Sequence, residues 1–224
     1  MLTLVVLVGA NPAIAASDSS NRPSASTTVD LEIGFRGYFK PGNWVPLRFR
    51  PDAQWMQRRD VTFFAEIPDP DGYPVRYRLD VVSETGEVVG VVRLGRVGSP
   101  VRIVVANETE TILWSHLFRP SESTAKQRFL PGVPNSQELI VVLADGDIGV
   151  DEAVQAVSFA DDVEPVVVSL MSWSELPESP AAYEAVGTLV VAPGPNENLL
   201  PDPKRDARRL AALEEWLENG GTLV

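Results

Sequence analysis

Apolar and polar residues alternate in short runs from Val29 to about Phe118. A period of two marks strands with one buried face. The pattern predicts strands at Val29–Arg36, Trp44–Arg50, Val61–Ile67, Val75–Val82, Glu87–Arg93, Val101–Ala106 and Thr111–Leu117. Turn residues separate them. Lys40-Pro41-Gly42-Asn43 and Asp69-Pro70-Asp71-Gly72 place Pro where φ is preset and Gly where φ can be positive. Seven short strands without helices to cover them predict an immunoglobulin-like β-sandwich over residues 29–118. Its predicted core is Phe35, Trp44, Leu47, Phe49, Phe63, Tyr77, Leu79, Ile103 and Val105.

The pattern changes at Glu138. Leu139–Leu143 is wholly apolar, as a parallel strand buried on both faces must be. Pro165–Leu170 and Thr188–Ala192 read the same way, with a short helix predicted over Gly149–Phe159 and a helix or turn over Pro180–Val186. Ala207, Leu210, Leu213, Trp216 and Leu217 form a stripe at helical spacing. Asp202 suits the N-cap of a helix over 204–218, Pro203 its first position and Gly220 its left-handed close. Thr222–Val224 then begins a strand, so this α/β unit, residues 138–224, reads as the first part of a doubly wound parallel sheet. The order predicts a larger protein, with a last strand short of neighbours. Residues 119–137 are polar, contain Pro120, Pro131 and Pro134, and read as a linker.

The run Leu189–Pro193, followed by Leu213-Glu214-Glu215-Trp216-Leu217-Glu218-Asn219-Gly220-Gly221-Thr222-Leu223-Val224, resembles the class I glutamine-amidotransferase-like superfamily. There a helix ending in W-[LV]-x-x-G-G-x-L-V returns the chain to the sheet. The resemblance implies a flavodoxin- or amidotransferase-like α/β fold of which only the first half is present. A similar module follows β-sandwich segments in large exported, membrane-anchored bacterial proteins. The stretch Ile33–Leu47 looks like the start of such a sandwich. The superfamily's nucleophilic cysteine sits on a later elbow, so the resemblance carries no catalytic residue onto this sequence.

Composition narrows the function. With 44% hydrophobic and 22% charged residues the chain has the make-up of a globular protein. A net charge of −12 argues against nucleic acid and anionic membrane surfaces as partners. Cysteine is absent, which removes thiolate nucleophiles and disulfides. Residues 1–16 read as an export signal: Leu2–Val8 is apolar and Ala13-Ile14-Ala15 fits a small-x-small cleavage site. No Lys or Arg precedes the run, and the alternative is a buried N-terminal strand. Residues 17–28 read as a flexible, Ser-rich tail.

Few side chains suggest chemistry. Asp145, Asp147 and Asp151 follow the first buried strand, where open α/β sheets bind ligands, and are candidate ligands for Mg²⁺ or Ca²⁺. The competing reading is a Gly turn followed by acids that suit a helix N-terminus. Asp161, Asp162 and Glu164 read as a solvated loop. His116, the single histidine, has no partner predictable by spacing, and Ser169, Ser172 and Ser174 lack a nucleophile-elbow frame. Pro195 spoils Gly194-Pro195-Asn196 as a phosphate cradle. Trp55, in the loop 52–59, is the tryptophan expected to be exposed and the candidate ligand contact of a sugar-binding sandwich.

These readings predict no cofactor and no catalytic set. The expected role is a non-catalytic interaction or scaffold region, in the periplasm or cell envelope, with an envelope protein as partner. Membrane contact would come only from a segment beyond Val224. The alternatives are an envelope hydrolase or amidotransferase-like enzyme with downstream catalytic residues, and a carbohydrate-binding sandwich.

Overall fold

The computed structural model describes residues 30–82, 85–121, 124, 126–156, 164–192 and 201–224. The predicted signal and tail (1–28), Asp161, Asp162 and Gly194–Asn196 lie outside the described residues.

Eight strands form the first part: β1 (Asp30–Ile33), β2 (Trp44–Arg50), β3 (Val61–Pro68), β4 (Pro74–Val82), β5 (Glu87–Arg93), β6 (Val101–Asn107), β7 (Ile112–Phe118) and β8 (Gln127–Arg128). They are hydrogen-bonded in the order β7-β6-β3-β4-β5-β2-β1-β8. The two separate sheets expected of a sandwich are here one continuous sheet, curled on itself. The link is β4. Its residues Pro74–Leu79 pair with β3, and only Asp80–Val82 pair with β5. Alternate residues of the strands bury one face inside the curl: Leu31, Ile33, Leu47, Phe49, Phe63, Ala65, Ile67, Val88, Val92, Ile103 and Val105 are all essentially inaccessible. Of the predicted core, Trp44 and Tyr77 are only half-buried and meet edge to face at 5.8 Å.

Several strand ends shift by a residue, and two departures from the pattern are larger. The first strand stops at Ile33, not Arg36, because Phe35 and Tyr38 exchange backbone hydrogen bonds of 2.9 Å around Arg36-Gly37. Both turn residues have positive φ, +53° and +98°, as a two-residue hairpin loop with right-handed strand twist requires. The predicted linker is docked on the sheet through residues 126–133. β8 pairs in parallel with β1, Phe129 is fully buried 5.9 Å from the Phe39 ring, and Val133 donates to the Phe39 carbonyl at 2.8 Å. Its apolar residues, not its prolines, decide its placement.

The second part holds β9 (Leu139–Ala144), α2 (Val150–Gln155), β10 (Val166–Leu170), 3₁₀ turns at Trp173–Glu175 and Pro180–Tyr183, β11 (Thr188–Ala192), α3 (Ala207–Glu218) and β12 (Thr222–Leu223). A one-turn helix, α1 (Ala53–Met56), belongs to the first part. The four strands are parallel in the order β10-β9-β11-β12, so the chain runs outward from β9 and then back past it. Helix α3 starts at Ala207, later than expected. Asp202 accepts the amides of Lys204 and Arg205 in a preceding turn, and Asp206 takes the N-cap position. At its other end Gly220 donates to Leu217 and Gly221 to Trp216, both at 3.0 Å, with φ +98° at Gly220. This paired closure is the left-handed cap read from the sequence.

Candidate functional site

The two parts meet along a seam built by the Arg36-Gly37 hairpin and the start of β2 on one side, and by the two 3₁₀ turns on the other. Phe35 packs against Tyr183 at 6.1 Å, and Tyr183 against Trp216 of α3 at 5.6 Å, so one apolar cluster runs through both parts. Tyr183 is fully buried; its hydroxyl donates to the Pro177 carbonyl at 3.1 Å, and burial raises its pKa. Glu184 ties the polar edge. Its carboxylate accepts the Trp44 amide at 2.7 Å, and its carbonyl accepts Asn43 Nδ2 at 3.1 Å.

Two openings flank the seam. One is a cleft of about 550 Å³ beside Trp44, Glu184, Glu215 and Trp216. The other is a groove of about 380 Å³ between β1, β2, β5, β8 and the Trp173–Glu175 turn. Five cations line the groove, Arg36, Arg48, Arg50, Lys126 and Arg128, against three carboxylates, Glu32, Glu87 and Glu175. In a chain of net charge −12 this is a marked local reversal. Strand geometry produces it. Glu32, Arg48 and Arg50 alternate with buried Leu31, Leu47 and Phe49, so their side chains share the outward face of the paired strands.

The cations are not equally engaged. Arg50 meets Glu87 at 2.6 Å and Arg128 meets Glu32 at 3.0 Å. Arg36 Nη2 meets Glu175 Oε2 at 2.6 Å, but Arg36 Nε is buried without an acceptor among the described residues. Arg48 crosses the seam and donates to the carbonyls of Ser174 and Glu175. Lys126 has no carboxylate partner among the described residues. Such a groove can hold an oxyanion. Pattern reading missed it because arginines on alternate strand positions look like an ordinary solvated face. The pattern also ran the first strand on to Arg36, which hid the hairpin loop that presents this arginine.

The residues singled out from the sequence stand elsewhere. Asp147 Oδ1 accepts the Gly149 amide at 2.8 Å, and Asp151 lies in the first turn of α2. Among the described residues no group of three or more His, Asp or Glu side chains is placed to hold an ion, and Asp147 and Asp151 have structural roles. They belong to a turn and a helix start. Trp55 is half-buried on α1 and packs against the core, with Nε1 buried and lacking an acceptor among the described residues. It is not the exposed platform expected, because the loop folds into a helical turn that lays the ring inward. His116 is exposed between Trp114 and Phe118, alternate residues of β7, at 6.1 and 4.6 Å between ring centres. Ser172 caps the first 3₁₀ turn by accepting the Ser174 amide at 3.3 Å.

The sequence matches no protein-family model and no curated protein.

Proposed function

We propose that this chain is a non-catalytic binding and scaffold region of an exported bacterial envelope protein. The seam supports the scaffold part of this reading, and the apolar Leu2–Val8 run with Ala13-Ile14-Ala15 supports the export part. A buried Phe35–Tyr183–Trp216 stack and the Glu184 contacts make one body of the two parts, with a charged groove at their junction. A scaffold needs a fixed surface, and a shared core supplies it. In this reading the curled sheet is a variant of the immunoglobulin-like sandwich, and the parallel sheet is of amidotransferase-like type. The strand order β10-β9-β11-β12 supports the latter, since it follows the opening of a doubly wound sheet. The placed histidine and serine support the non-catalytic role: His116 stacks on Trp114 and meets Phe118 edge-on, and Ser172 caps a turn. No helix among the described residues is long and apolar enough to cross a membrane.

Export is the testable core. The chain is expressed from Met1 in a bacterium, and its N-terminus is mapped by mass spectrometry in each cell fraction. A mature chain beginning at Ala16 or Ser17 outside the cytoplasm is the expected result. An unprocessed chain confined to the cytoplasm overturns the reading.

A further inference from the structure

We propose that the groove at the seam binds a small molecule bearing a carboxylate or phosphate group, with Arg36, Arg48 and Lys126 as its anchors. The inference rests on the reading of this chain as a binding body and names the ligand class of its groove.

Three observations converge on Arg36. Its Nε is buried and has no acceptor among the described residues. A buried donor without a partner calls for one, and a bound water or ion is the usual answer. Glu175 already serves two other donors. One of its carboxylate oxygens holds Arg36 Nη2 at 2.6 Å, and the other accepts the Met171 amide at 3.0 Å. The backbone adds a second sign. Arg36 has the φ of +53° that the two-residue hairpin loop requires, and an arginine stands there where Asn, Asp or Gly is usual. Here it turns a guanidinium toward the groove at the tip of a hairpin. The third sign is the neighbour. Arg48 comes to the same Glu175 but donates to main-chain carbonyls, with no carboxylate partner among the described residues. Lys126 adds an exposed ammonium to the lining.

The other two cations are excluded from the anchor set, because Glu87 and Glu32 already hold Arg50 and Arg128. Guanidinium groups favour oxyanions with two acceptor oxygens. A volume of about 380 Å³ is at the small end of ligand sites and suits a single acidic sugar or a phosphate ester. Arg36 and Arg48 both bridge the seam, so an occupant would touch both parts of the molecule.

Calorimetric titration of the full chain at low salt tests the site with inorganic phosphate, glucuronate and, as a neutral control, glucose. Saturable binding of phosphate or glucuronate is expected, glucose giving no heat. The stronger of the two anions tells a phosphate ligand from a carboxylate one. Arg36→Gln should weaken binding by about tenfold, as the loss of a charge-assisted contact does. Because that change also releases Glu175, Lys126→Gln is the companion variant; it leaves the seam intact and should weaken binding by about threefold. Wild-type chain that binds neither anion overturns the inference, and so does equal affinity in wild type and both variants. An exported, processed chain without anion binding would sink this inference alone. Arginine-dependent anion binding by a chain that is never exported would uphold it and sink the scaffold role.

Discussion

Trp216 shows how one residue sets the needs of its neighbours. Its indole lies where a Cβ on Gly221 would stand, at 2.3 Å. The paired glycines after α3 therefore do different work: Gly220 adopts the left-handed φ, and Gly221 leaves room for the ring. Gly221→Ala should destabilise the chain by about 1–3 kcal/mol through overpacking, measured by urea unfolding. Gly220→Ala meets no neighbouring atom, so its cost, about 1–2 kcal/mol, comes from the backbone alone. A second residue-scale case is Asp206, whose side chain is fully buried. Burial alone would raise its pKa; the Asp202 amide, Arg205 and Arg209 outweigh that and hold it below the usual carboxylate range. A depressed folded-state pKa gives stability that is complete above the unfolded value, about 4, and is lost as pH falls through the folded one. Asp206→Asn should thus cost about 1–3 kcal/mol at neutral pH. The difference from wild type should shrink in acid. A pH-independent difference in urea midpoints would refute this.

At the scale of elements, the segment after β7 is the most instructive. Polar composition and three prolines suggest a tether, yet residues 127–133 are fixed by Phe129 and by amides that reach Gly37 and Phe39. The docking of β8 also supplies Arg128 and Lys126 to the groove. Phe129→Ala should cost about 3–5 kcal/mol, as loss of a fully buried ring does. Hydrogen exchange should then speed up at Leu31, Leu130 and Val133, whose amides this segment orders. Unchanged protection there would show that the segment is held by something else. Helix α3 teaches a related point about starts. The sequence offers Asp202-Pro203 as a cap, but Asp206 is pulled inside by Arg209 at 3.1 Å, and Arg209 also donates to the Leu176 carbonyl. The Asp206 contact is local, but the Leu176 contact spans 33 residues of chain, so the local pattern could not weigh it.

For the molecule as a whole, the question is whether its two parts unfold together. Tyr183 joins them, with Phe35 on one side and Trp216 on the other. A shared core predicts one cooperative transition, with tryptophan fluorescence and far-UV circular dichroism coinciding. Tyr183→Ala should separate the two signals by opening a cavity at the seam, whereas Tyr183→Phe, which loses only the hydrogen bond to Pro177, should keep them together. Two transitions in the wild-type chain would show the seam to be a mere contact. The same seam builds the groove, since Arg36 and Arg48 belong to one part and Glu175 to the other.

Local pattern alone determined where the strands run, because period-two alternation and continuous apolar runs are properties of neighbouring residues. The bounds of β2, β5 and β11 match their predicted spans, and the α3 closure follows from Asn219-Gly220-Gly221. Tertiary structure decided the rest. It joined two expected sheets into one through β4, docked the supposed linker, turned Trp55 inward and gathered arginines at Glu175. Each outcome depends on groups distant in the chain competing for the same space or charge, and a one-dimensional pattern does not record that competition.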